Sequence, residues 1–83
     1  MKKLYATVDI NMQNSASKIK YYQTKKEGYG IEIVREAGDK ILARRAIDNI
    51  LDTKSKINKV LEMITTHLVT PEGAEYIEND LSF

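Results

Sequence analysis

From Lys3 to Met12 the chain alternates apolar and polar residues. Leu4, Ala6, Val8, Ile10 and Met12 fall on one side, and Tyr5, Thr7, Asp9 and Asn11 on the other. A period of two predicts a half-buried strand with the first set facing the core. The periodicity is lost over Asn11–Ser17, where Asn, Gln and Ser accumulate, so the chain is expected to reverse there. Ile19–Thr24 is aromatic and β-branched and predicts a second strand. In Gly28–Val34, the stretch best suited to the centre of a sheet, Tyr29, Ile31 and Ile33 alternate with Gly30, Glu32 and Val34. Lys25–Gly28 either turns the chain or bulges one long strand, so both three and four strands fit. Glu36–Asp39 predicts a hairpin loop in which Gly38 supplies a positive φ. Ile41–Ile47 returns as an edge or near-edge strand whose register the pattern does not fix, because Ile41 and Leu42 fall on opposite faces, as do Arg44 and Arg45.

At Thr53 the period changes. Ile57, Val60, Leu61, Ile64 and Leu68 recur at spacings of three and four, the single apolar stripe of an amphipathic helix, with Asp52 or Thr53 placed to cap its start. Thr70-Pro71 predicts a second helix, since Thr is a good N-cap and Pro suits the first helical position. That helix would turn Ala74, Ile77 and Leu81 inward and Glu72, Glu75 and Glu78 outward. The predicted fold is α+β: a three- or four-stranded antiparallel meander with two C-terminal helices packed on one face, in a single domain spanning residues 1–83. Leu4, Val8, Ile31, Ile33, Val60, Leu61, Ile64 and Ile77 are expected to share its core.

Composition narrows the function classes. Hydrophobic residues make up 42% and charged residues 30%, too apolar a mixture for a disordered chain. The absence of cysteine excludes disulfides, thiolate metal sites and thiol nucleophiles. No stretch approaches the apolar length of a membrane span, and the alternation after Lys3 is unlike a signal peptide, so a soluble cytoplasmic protein is expected. The net charge of +1 conceals an asymmetry. Residues 1–45 hold ten Lys and Arg against five acids, and residues 46–83 hold three Lys against seven acids. Such a division serves either a partner or internal complementarity.

No catalytic constellation stands out, and neither an enzymatic activity nor a cofactor is expected. His67 is the only histidine, and its place near a helix C-terminus favours a role at the helix dipole. Glu72, Glu75, Glu78 and Asp80 have the oxygen ligands for Mg²⁺ or Ca²⁺ but not an EF-hand spacing, and acids suit a first helical turn anyway. Gly28-Tyr-Gly30 lacks the Lys-Ser/Thr and the following helix of a phosphate loop; glycines in a strand more often mark a bulge or a close neighbour. Ser15 and Ser17 have no nearby base to make either a nucleophile.

Two surfaces remain. Lys54, Lys56 and Lys59 occupy the opening turns of the first helix, where positive charge opposes the dipole, and no acid follows before Glu62. They are the candidate contacts to an acidic protein partner. The alternative is the outer face of the sheet, where Tyr5, Lys20, Tyr22 and Arg44 would interleave rings and cations as single-stranded nucleic acid requires. Against it stand the absence of an RNP-like motif, a pI of only 7.9, and Glu32 on the same face.

Several of these signals occur together in one family. The N-terminal strand, Tyr29-Gly30-Ile31, Ile50 with Asp52-Thr53, the stripe Val60, Leu61 and Ile64, and Thr70-Pro71 followed by Ile77-Glu78-Asn79-Asp80 resemble short proteins, carrying a domain of unknown function, of clostridial-type Gram-positive bacteria. The resemblance spans most of the chain. That family favours His-Leu just after the Pro and an Asp-Phe-Leu ending, where this chain has Glu72-Gly73 and Asp80-Leu81. The resemblance implies the fold and, since the family has no assigned activity, no function. The expected function is that of a small non-enzymatic interaction or regulatory module, of the kind found among phage- and mobile-element accessory proteins. Nucleic-acid binding is the alternative. A homodimer formed through a sheet edge or the exposed face is also expected, because it would help a marginal core.

Overall fold

A computed structural model describes residues 2–12 and 15–74. Four strands, β1 (Lys2–Met12), β2 (Ser15–Lys25), β3 (Tyr29–Ala37) and β4 (Lys40–Leu51), precede one helix, α1 (Lys54–Thr66). The sheet is an antiparallel meander in the order β1-β2-β3-β4. The chain therefore turns between Lys25 and Tyr29 instead of bulging one long strand, and the described residues form four strands. The β1–β2 pairing continues to Met12 opposite Ser15, so residues 11, 12 and 15–17 of the predicted loop belong to the strands. Between β3 and β4 only Gly38 and Asp39 remain unpaired. Gly38 has a φ of 60° and Asp39 no positive φ, the pattern of a type II′ turn, whose twist matches that of the flanking strands.

One face of the sheet carries α1. Ile19 and Tyr21 of β2, Ile31 and Ile33 of β3 and Ile47 of β4 meet Ile57, Val60, Leu61 and Ile64 of the helix, with Ala74 completing the buried cluster. Val8 and Ile10 pack at its margin as expected. Leu4 does not. The register shifts between Leu4 and Ala6, so Tyr5 is an extra residue in β1 and Leu4 stands opposite Tyr22 on the other face, half exposed. A bulge of this kind turns the preceding residues over while leaving the sequence alternation intact.

The centre of β3 is buried on both faces. Gly30 lies where both neighbouring strands come close: a Cβ there would collide with the Ile47 carbonyl oxygen of β4 and stand 2.7 Å from Thr24 Oγ1 of β2. β4 advances from Ile47 to Leu51 while β3 advances only from Ile31 to Tyr29, and the bare Gly30 gives the extra backbone room.

Thr53, not Asp52, caps α1. Its backbone is extended and its hydroxyl accepts the Lys56 amide at 3.3 Å. The helix ends one turn sooner than its apolar stripe. His67 is the C-cap, the Leu68 amide donates to Thr65 and the Val69 amide to Ile64, which together form a Schellman motif. Leu68 takes the left-handed position of that motif, with a φ of 50°, and is 49% exposed; Val69, not Leu68, folds back onto the core. Thr70 then accepts the Gly73 amide through its side chain at 3.1 Å, and the chain turns at the buried Pro71. Among the described residues α1 is the one helix. The remainder of the predicted second helix, with Glu75, Ile77, Glu78, Asp80 and Leu81, lies outside them.

Candidate functional site

A groove of about 570 Å³ separates the beginning of β1 from the first three turns of α1. Lys3, Leu4, Tyr5 and Gln23 line its sheet side, and Lys54, Ser55, Asn58, Lys59 and Glu62 line its helix side. Local structure explains the composition. The Tyr5 bulge brings an aromatic ring toward the helix instead of the outer face, and α1 has no acid in its first turn to occupy its positive end. Lys3, Lys54 and Lys59 form no ion pair among the described residues, so three ammonium groups face one carboxylate, that of Glu62.

The three helix lysines are thus not equivalent. Lys54 and Lys59 enter the groove, whereas Lys56 stands 3.6 Å from Asp52, which precedes the helix cap. Lys3 is the contributor that sequence reasoning missed. Its signal was its place beside a bulge that sets it opposite Gln23, and the alternating pattern hides that bulge.

The outer face of the sheet brings together Lys20, Tyr22 and Arg44 but not Tyr5. Its cations are already engaged. Lys20 Nζ lies 2.7 Å from Glu36, and Arg44 donates through Nε and Nη2 to Glu32 Oε1 at 3.1 and 2.7 Å. Lys2 donates to the other oxygen of Glu32 at 2.9 Å and covers the Tyr22 ring, 4.5 Å from its centre. Glu32 is consequently only 4% exposed although it projects from the face without a helix. Burial pushes its carboxyl pKa upward, but the hydrogen bonds and charges of Arg44 and Lys2 together outweigh that and hold it below the usual carboxylate value. The same contacts raise Arg44, and hydrogen bonding and attraction to Glu36 raise Lys20.

His67 is exposed at the end of α1, where its amide donates to Met63. Ser17 is buried opposite Ile10. No group of three or more His, Asp or Glu residues able to hold a metal ion occurs among the described residues. Glu72 is exposed, and Glu75, Glu78 and Asp80 lie outside the description. No helix among the described residues is long and apolar enough to cross a membrane.

No protein-family model, curated protein or solved structure matches the chain.

Proposed function

We propose that the protein is a small non-enzymatic interaction module that receives an acidic segment of a protein partner in the groove between β1 and α1. The observation that carries this reading is that Lys3, Lys54 and Lys59, none of them in an ion pair among the described residues, line the groove with Tyr5. Cations beside an aromatic ring suit a peptide that alternates carboxylates with a bulky side chain. The favoured sign of charge is also the one the positive end of α1 attracts. The outer face supports nucleic-acid binding less well, because Lys20 and Arg44 spend their charge on Glu36 and Glu32.

The test is anisotropy with labelled peptides of matched length, acidic and basic, each containing one Leu or Phe, and with a single-stranded oligonucleotide. Binding of the acidic peptide alone, falling with salt and lost on Lys54→Gln with Lys59→Gln, is the expected result. Tight oligonucleotide binding that is lost on Lys20→Gln with Arg44→Gln would replace this reading with the nucleic-acid one.

A further inference from the structure

β1 is an outer strand: β2 pairs with one of its edges and, among the described residues, no strand pairs with the other. Its first residues alternate regularly. Lys2, Lys3 and Leu4 stand opposite Thr24, Gln23 and Tyr22, and the register shifts only beyond Leu4. Lys3 therefore shares the helix side of the sheet with Gln23, while Leu4 projects from the outer face beside Tyr22 and is 50% exposed. Both Lys3 and Leu4 nonetheless line the groove. Successive side chains of a strand point to opposite faces, so a groove that touches both reaches the β1 backbone, and the edge left open there is the one away from β2.

The groove's helix wall, from Lys54 to Glu62, rises about 12 Å. That is the length of about four residues of extended chain, and Lys2–Tyr5 offers four residues of β1 before the bulge is passed.

We infer that the acidic segment binds as an extended strand added to the open edge of β1 along Lys2–Tyr5, with carboxylates at alternate positions on the helix side and an apolar residue between them on the outer face against Leu4. This rests on the groove taking an acidic segment at all, and adds the form in which it is held. An outer strand presents a row of backbone donors and acceptors that another strand can complete. Strand addition draws affinity from those main-chain bonds and specificity from alternate side chains. Alternate carboxylates of the added strand fall on one face, the face where Lys3, Lys54 and Lys59 meet the single carboxylate of Glu62. The side chain between them falls on the other face, where Leu4 is a half-exposed cross-strand neighbour. β4, the other outer strand, offers no comparable charge, because Arg44 and Asp48 are engaged with Glu32 and Lys26.

Anisotropy with a labelled, C-terminally amidated peptide of alternating Glu and Leu, together with amide exchange of the full chain, tests the inference. Successive amides of a strand point to opposite edges, so N-methylation of alternate peptide residues blocks one edge at a time. Methylating one set should weaken binding roughly tenfold, and methylating the other should leave it unchanged. The bound peptide should slow amide exchange within Lys2–Tyr5. Replacing the peptide's Leu residues by Ser should weaken binding to the parent more than to Leu4→Ala. Strand addition is overturned, and the acidic groove stands, if the peptide binds and is lost on Lys54→Gln with Lys59→Gln, yet both methylated sets bind alike. Slowed amides in β4 instead of β1, or an equal loss from Ser in parent and Leu4→Ala, also overturn it. If the peptide does not bind the parent, the groove's role falls and strand addition falls with it.

Discussion

The Tyr21 hydroxyl donates to the Val69 carbonyl at 2.8 Å, joining β2 to the segment that leaves α1, 48 positions later. Tyr21 has no exposed surface, and burial pushes its phenol pKa above the ordinary value, so it stays a donor. Removing the hydroxyl would leave the Val69 carbonyl without this donor while preserving the ring. Tyr21→Phe should cost about 1–2 kcal/mol in denaturant unfolding. An unchanged midpoint would show that the bond does not hold the segment in place.

Leu68 is the opposite case, a residue whose replacement should help. It occupies a left-handed conformation that an L side chain enters at a cost, and half of its surface is in water. Leu68→Gly should stabilise the domain by about 0.5–1 kcal/mol, because glycine meets the geometry of the Schellman position without strain. A raised melting temperature is the expected readout; a lowered one would mean that Leu68 contributes packing the strain conceals.

Gly30 and Gly38 should differ when each becomes Ala. At Gly30 a methyl collides with the backbone of β4, and a loss of about 3 kcal/mol or more is expected. At Gly38 there is open space and the penalty is the positive φ alone, about 1 kcal/mol. Thermal unfolding of the two variants should place Gly30→Ala far below Gly38→Ala.

Glu32 should give the protein an acid limb. Its folded pKa lies below its unfolded value, so its contribution is complete above the ordinary carboxylate range, about 4.3, and is lost as pH falls through the lower folded value. Glu32→Gln should reduce stability near neutrality by about 1–2 kcal/mol and flatten this decline. If parent and variant lost stability in parallel on acidification, the decline would belong to other carboxylates.

The helix was legible wherever its signals are local. Ile57, Val60, Leu61 and Ile64 repeat at helical spacing and all four are buried. Leu68 continues that spacing, but the helix stops before it at a Schellman turn without glycine, so composition gives no warning. The strands were legible as strands, because alternation reports burial on one face. Where they shift against one another was not, because a bulge is a property of a pair. Tyr5 sits within unbroken alternation, yet its extra place in β1 transfers Leu4 to the outer face and brings Tyr5 and Lys3 to the groove. Glu32 shows the same limit. Period two assigns it correctly to the outer face, but its burial depends on Lys2 and Arg44, thirty and twelve residues away. Lys56 differs: its partner Asp52 stands only four positions earlier in the chain, just before the Thr53 cap.

Because every strand pairs with its neighbour in sequence, the sheet can assemble by successive closures of short hairpins. Such closures are entropically cheap and fast. The long closure is the return of α1 and Val69 onto β2. The expected rate-determining event is therefore the docking of the helix on a sheet already paired, and substitutions at Ile57 and Leu61 should alter the folding rate more than substitutions in the β3–β4 turn. Stopped-flow refolding that was slowed equally by changes in that turn would place the barrier in the sheet instead.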